Sequence, residues 1–232
     1  MSVIRKVGVI GAGQMGIGIA QVAAVTAKLP VVLYDSNASQ LESKLKFLDS
    51  MLAKDVEKGK MTIQEKKEAF DRIRTATSLK DFQTVDFVIE AVKEDLAVKR
   101  SIFEQLSAVL DKQCILGTNT SSISITKLAA AFHSPQNVIG MHFMNPGKLL
   151  HNPSVPVMKL VEVINGLCTS DETYQSTIAL AQQMQKITTK SVDVPGFIAN
   201  RLLMPYINEA VFALQEVIFF IDFKGNRKQR RH

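Results

Sequence analysis

The chain has 232 residues, 46% hydrophobic and 22% charged, a globular composition able to bury the core of one large or two modest domains. Two cysteines, Cys114 in an apolar run and Cys168 near a helix start, do not make a disulfide framework and fit a reducing compartment. The net charge of +6 does not point to nucleic acid: five cations (Lys224, Arg227, Lys228, Arg230, Arg231) against Asp222 put most of it in a terminal tail, and the body has no basic stripe with interleaved aromatics.

Val7 to Ile10 reads as a buried strand and Gln14 to Thr26 as a tightly packed helix of small and apolar residues. Between and into them runs Gly11-Ala-Gly-Gln-Met-Gly16. Gly11 permits the sharp turn, Gly13 lets the backbone approach a pyrophosphate, and Gly16 lets the helix lie close to the strand. The pyrophosphate is expected on the N–H groups of the helix start, contributed around Ala12, Gln14 and Met15. A second strand, Val31 to Tyr34, leads into Asp35, whose carboxylate can accept both ribose hydroxyls and would repel a 2′-phosphate. The expected cofactor is therefore NAD. A lone glycine triplet is weak evidence, but strand, helix, second strand and terminal acid stand here in order.

Asn37 or Ser39 caps a helix to Lys58, with Leu41, Leu45, Leu48, Leu52 and Val56 on one face. Thr62 and Glu65 form a capping box for a short helix to Phe70. Ile73 to Ala76 and Val85 to Ala91 are strands, Leu96 to Leu110 a helix, Cys114 to Gly117 a strand and Ile125 to Phe132 a short helix. Strands follow at Val138 to Phe143 and Met158 to Ile164, then a helix at Asp171 to Met184 and a strand at Thr188 to Val192. After Pro195-Gly196 comes a long apolar helix, Phe197 to about Phe220. The alternation predicts a doubly wound, Rossmann-type α/β fold with a mostly parallel sheet, followed by the start of a helical domain. The expected divisions are 1–194 for the nucleotide domain, 195–221 for the first helix of the next, and 222–232 for the basic tail. That helix has no partner in the remaining sequence and should pack on another subunit or a further domain. No apolar run is long enough to span a membrane, and an early first strand leaves no room for a targeting peptide, so a cytoplasmic protein is expected.

In such a sheet, ligands bind at the carboxyl ends of the strands. Glu90 ends one strand, Thr118-Asn-Thr-Ser-Ser122 another, and His142-Phe-Met-Asn-Pro146 a third, while Glu162 lies within an apolar strand. Asn119, Ser121 and Ser122 serve equally as a simple turn, and His142 alone reads equally as a core histidine. A nicotinamide enzyme oxidising an alcohol needs a base oriented by a third group. His142 is the histidine at a strand end, and imidazole titrates near neutrality. A buried Glu162 needs a partner, which His142 can supply, and Ser121 can donate to the substrate oxygen. His133 and His151 read as surface residues, and no spacing suits a metal.

Five blocks now coincide with one family. Gly11-Ala-Gly-Gln-Met-Gly16, Asn119-Thr-Ser-Ser122, Gly140-Met-His-Phe-Met-Asn-Pro146, Met158-Lys-Leu-Val-Glu-Val-Ile164 and Val194-Pro-Gly-Phe-Ile-Ala-Asn-Arg201 closely resemble the short-chain L-3-hydroxyacyl-CoA dehydrogenases, nearest to the 3-hydroxybutyryl-CoA dehydrogenases. The resemblance implies NAD-linked interconversion of (S)-3-hydroxyacyl-CoA and 3-oxoacyl-CoA, in fatty-acid degradation or butanoate-type metabolism. It implies His142 as base, Glu162 as its acidic partner, and Ser121 and Asn200 as residues holding the substrate's 3-oxygen and nearby groups. Glu90, Asp95, Asn119 and Asn145 fall at positions beside the cofactor. Ser50, Lys54 and Lys58 fall in a region reaching the CoA moiety, with a looser match. The family is homodimeric through a C-terminal helical domain, and it also resembles a lens crystallin. Two departures stand out: an eight-residue insert at 147–154 between the strands bearing His142 and Glu162, and an ending after Glu216 that leaves out most of the family's C-terminal domain. A structural NAD-binding protein therefore stays open as an alternative, as does a dehydrogenase of a free hydroxy acid. The His-Phe-Met-Asn-Pro and Pro-Gly-Phe blocks speak against the sugar-acid relatives.

Overall fold

The computed structural model describes residues 4–144 and 154–216. Eight strands, β1 (Val7–Ile10), β2 (Val31–Tyr34), β3 (Ile73–Ala76), β4 (Phe87–Glu90), β5 (Ile115–Thr118), β6 (Val138–Phe143), β7 (Leu160–Asn165) and β8 (Ile187–Val192), form one sheet in the order β3-β2-β1-β4-β5-β6-β7-β8. The pairs from β3 to β6 are parallel, so the expected Rossmann-type α/β sheet is present. β7 then runs antiparallel to β6, and β8 follows β7 in parallel. The periodic reading could not show that reversal, because apolar runs carry no direction.

The helices are α1 (Gln14–Gln21), α2 (Ala38–Glu57), α3 (Ile63–Asp71), α4 (Leu96–Ser107), α5 (Ile125–Ala129), α6 (Ser154–Val157), α7 (Asp171–Gln183) and α8 (Ala199–Gln215). Alternate strand residues face opposite sides of a sheet. Val9, Leu33 and Ile89 accordingly enter one core, with Ile19, Leu48 and Leu180, while Ile10, Val32 and Val88 enter the other, with Phe103 and Leu128. Strands apolar on both faces need helices on both, which is why α/β alternation builds this architecture.

Local signals set the helix starts. The Asn37 side chain accepts the Gln40 N–H, and Thr62 and Glu65 make both bonds of their capping box. The helix expected from Gln14 to Thr26 is α-helical only to Gln21 and widens into a π turn over Val22–Thr26, where the Ala27 N–H reaches the Val22 carbonyl. The helix expected over Leu96 to Leu110 ends at Ser107.

Two compact units divide between Phe197 and Ile198, and the first holds the whole sheet. Its last stretch is pinned by Asp193. That carboxylate accepts from the Ser124 hydroxyl at 2.8 Å, the Ile125 and Thr126 N–H groups at 2.9 Å each, and the Thr126 hydroxyl at 2.6 Å, so it caps α5. Burial would raise this acid, but the hydrogen bonds outweigh it and hold it below its ordinary value of 3.8. A depressed acid contributes stability that is complete above its unfolded pKa and is lost as pH falls through its folded pKa. Asp193→Asn is expected to cost about 1–2 kcal/mol at neutral pH and to flatten the loss of stability below about pH 4, as measured by thermal melts across that range.

Candidate active site

The nucleotide half of the site rests on close backbone contact. Gly11 has φ 96°, a left-handed conformation natural to glycine. At Gly16 a Cβ would sit 1.7 Å from the Gly11 carbonyl oxygen, so α1 reaches β1 only because that side chain is missing. Asp35 lies just beyond β2 and braces the turn: it accepts the Ala12 N–H at 2.7 Å and the Asn37 N–H at 2.8 Å. Gly13, the N-cap of α1, has no side chain to cap it, and the first turn carries no acid. A Cβ on Gly13 would meet nothing within 4 Å. A helix start whose N-cap, Gly13, brings no side chain fits a pyrophosphate, and Asp35 beside it fits a ribose.

Next to this turn, β4 and β5 end in a buried polar network. Glu90 is fully buried, with its carboxylate accepting from Lys99 Nζ at 2.8 and 2.9 Å, the Thr118 hydroxyl at 2.6 Å and the Val92 N–H at 2.7 Å. Lys99, also fully buried, lies 3.5 Å from Glu94 on its other side. Glu94 in turn accepts from the Thr120 hydroxyl at 2.6 Å and from the N–H and hydroxyl of Ser121 at 2.8 and 3.1 Å. Burial would raise the Glu94 carboxyl, but bonds from Thr120 and Ser121 and the Lys99 charge hold it below its ordinary value. Asn119 accepts the Phe143 N–H at 2.9 Å and so ties the end of β5 to β6.

On β6 and β7, His142 and Glu162 are direct cross-strand partners. His142 Nδ1 lies 2.7 Å from Glu162 Oε2, with Glu162 fully buried and His142 8% exposed. A carboxylate only accepts, so the 2.7 Å contact places a proton on Nδ1, and a neutral ring in that tautomer has its lone pair on Nε2. The antiparallel register sets this geometry. The insert at 147–154 therefore joins two strands whose pairing is already aligned; apart from Ser154, which opens α6, it lies outside the described residues.

A cleft of about 220 Å³ gathers Met15, Val92, Glu94, Asn119, Ser121 and His142. A larger cavity, about 740 Å³, is lined by Arg5, Asp86 and Cys114, at the opposite ends of the strands. Burial, with Asp86 and Asp111 nearby, raises the Cys114 thiol to about 12, so it is inert. The smaller cleft lies at the carboxyl edge, where open α/β sheets bind ligands, and it brings Met15 of the glycine motif together with His142.

The remaining residues expected at the site are placed variously. Glu90 supports the cleft from behind rather than lining it, and Asp95 caps α4 by accepting the Ala97 and Val98 N–H groups. Glu94, beside Asp95, is the acid on the cleft and was not singled out from the sequence; nor was Lys99. The signal available was Glu90 itself, since a carboxylate ending a buried strand requires a cation nearby. Ser50, Lys54 and Lys58 lie at four-residue spacing along the exposed side of α2 and its end. Asn200 belongs to α8, in the second unit. Asn145 lies outside the described residues. Among the described residues no acid, histidine or cysteine cluster suits a metal, and no helix is long and apolar enough to cross a membrane.

Residues 6–194 match the model of the 3-hydroxyacyl-CoA dehydrogenase NAD binding domain. The chain belongs to this family. A probable 3-hydroxybutyryl-CoA dehydrogenase of Bacillus subtilis is 47% identical over 213 residues, covering 92% of this chain and 71% of the relative. The 3-hydroxybutyryl-CoA dehydrogenase of Bradyrhizobium diazoefficiens is 46% identical over 215 residues, 93% of this chain and 70% of its own length. Among solved structures, the (S)-3-hydroxybutyryl-CoA dehydrogenase of Ralstonia eutropha superposes with a TM-score of 0.86 at 41% identity, covering 93% of this chain and 73% of that one. As in the rest of the 3-hydroxyacyl-CoA dehydrogenase family, the cofactor is NAD.

The glycines separate folding from binding. Gly13→Ala is expected to leave the melting temperature nearly unchanged, because its Cβ enters open space, while weakening NADH binding by about tenfold or more as that space fills. Gly16→Ala is expected to destabilise the fold itself. Fluorescence titration with NADH beside thermal melts would show both, and equal melting losses would refute the distinction.

Proposed function

We propose that this protein interconverts (S)-3-hydroxyacyl-CoA and 3-oxoacyl-CoA, with 3-hydroxybutyryl-CoA the substrate favoured by the relatives. The observation that carries the reading is the buried His142–Glu162 pair opening onto the same cleft as the glycine turn. NAD, when bound, supplies the hydride acceptor for C3 of the substrate. His142 Nε2 takes the proton of the 3-hydroxyl as general base and returns it in reduction. Glu162 holds the tautomer that leaves Nε2 unprotonated and stabilises the imidazolium that forms. Ser121, held by Glu94, fixes the substrate oxygen.

Ser50, Lys54 and Lys58 are assigned to the CoA moiety, their two ammonium groups suiting its phosphates. Residues 1–194 serve as the cofactor domain, and 195–221 open a helical domain for substrate binding and homodimerisation. The apolar surface of α8 supports that assignment, with Leu202, Met204 and Val211 all more than half exposed.

Acetoacetyl-CoA reduction, followed by loss of NADH absorbance, tests the activity. His142→Gln is expected to lower kcat by about 10²–10⁴-fold while leaving NADH affinity unchanged. Unchanged turnover would remove His142 from the chemistry. NADH binding with no turnover by the unsubstituted protein would leave it a cofactor-binding protein.

A further inference from the structure

The Glu162 hydrogen bond fixes one atom of the His142 ring, but a ring held at Nδ1 alone can still tilt about that contact and swing Nε2 off line. A second restraint is present. The Phe197 ring centroid lies 5.9 Å from that of His142 with the planes at 60°, within the range of favourable aromatic pairs. Phe197 is 2% exposed and packs in the core that contains Ile125, Val138 and Ile164. It is not part of the cleft lining, so it backs the imidazole without taking up substrate space.

The backbone at this point is unusual. Gly196 has φ 78° and Phe197 itself φ 48°, with the Phe197 N–H bonded to the Val194 carbonyl at 3.0 Å. Left-handed φ is natural to glycine and an outlier for a bulky residue, and such strain gathers at functional sites. Glycine would satisfy this turn without strain, yet the position carries a phenyl ring, so the ring itself is what the site uses. Asp193, bonded four times to the start of α5, anchors the segment just before the turn. The strained turn thus directs the ring inward from a fixed base.

We propose that Phe197 is a positioning residue that closes one face of the His142 imidazole, stopping its tilt and sheltering its bond to Glu162 from water. The chemical consequence rests on the reading of His142 as the base. The sheltering does not, and can be read without turnover.

The test follows the His142 Nδ1–H resonance by NMR in the full chain, assigned through its disappearance in His142→Gln. In Phe197→Leu, which keeps apolar bulk but lacks the flat ring, exchange of that proton with water should accelerate by about tenfold or more, and kcat should fall by about tenfold with NADH affinity unchanged. Phe197→Gly removes the ring and the left-handed strain together, and should show the same exchange if Phe197→Leu folds poorly. Phe132→Leu, altering another buried ring of the same core, should lower the melting temperature and leave the exchange alone. Unchanged exchange in both Phe197 variants would overturn the proposal, as would equal acceleration in Phe132→Leu or a proton already too fast to observe in the unsubstituted protein. If exchange responds as expected but the unsubstituted protein turns over no acyl-CoA, the positioning stands and the assigned activity falls.

Discussion

The carboxyl edge of the sheet is organised around the buried carboxylate of Glu90. Removing a charge from water is costly, and the cost is offset only where a counter-ion and hydrogen bonds surround it. Lys99, Thr118 and the Val92 N–H supply those bonds, and in doing so they join β4, β5 and α4. Removing one partner of such a pair typically costs about 3–5 kcal/mol, because the other is stranded. Lys99 also reaches Glu94, and Glu94 grips Ser121. The polar face of the cleft is thereby tied to the core: its residues stand on strand ends that an ion pair holds together.

The two halves of the cleft are built by different physics. The cofactor half depends on missing atoms: no Cβ at Gly16, and at Gly13, the N-cap of α1, no side chain and open space in its place. The half around His142 depends on added restraints, with the ring held at one nitrogen by Glu162 and packed beside Phe197. A nucleotide is bound by its own bulk and charge against bare backbone. A base that must transfer a proton over a fraction of an ångström needs its direction set before the substrate arrives.

Much of this was legible in the sequence where the signal is local. Asn37, Thr62 and Glu65 announce helix starts because capping bonds span only three residues. The glycine turn and Asp35 are legible because strand, turn and helix follow one another directly. The reversal between β6 and β7 was not, since strand direction depends on how the connection returns. Nor could the sequence decide between neighbouring acids: Asp95 caps α4 and Glu94 faces the cleft, a choice made by the residue at which the helix begins. Phe197 stands in a visible Pro-Gly-Phe turn, but its left-handed backbone belongs to the three-dimensional fit.

The antiparallel step at β7 has a consequence for how the chain assembles. His142 and Glu162 are 20 residues apart, whereas the bond from the Ala91 N–H to the Ile10 carbonyl, which seats the end of β4 beside the glycine turn, spans 81, from 10 to 91. Loop-closure entropy grows with the logarithm of length, so two doublings separate these contacts by about 1.2 kcal/mol. The His142–Glu162 pair is therefore the cheaper half of the cleft to assemble. The glycine turn, where β1 must meet a strand from much later in the chain, bears the greater share of the topological cost.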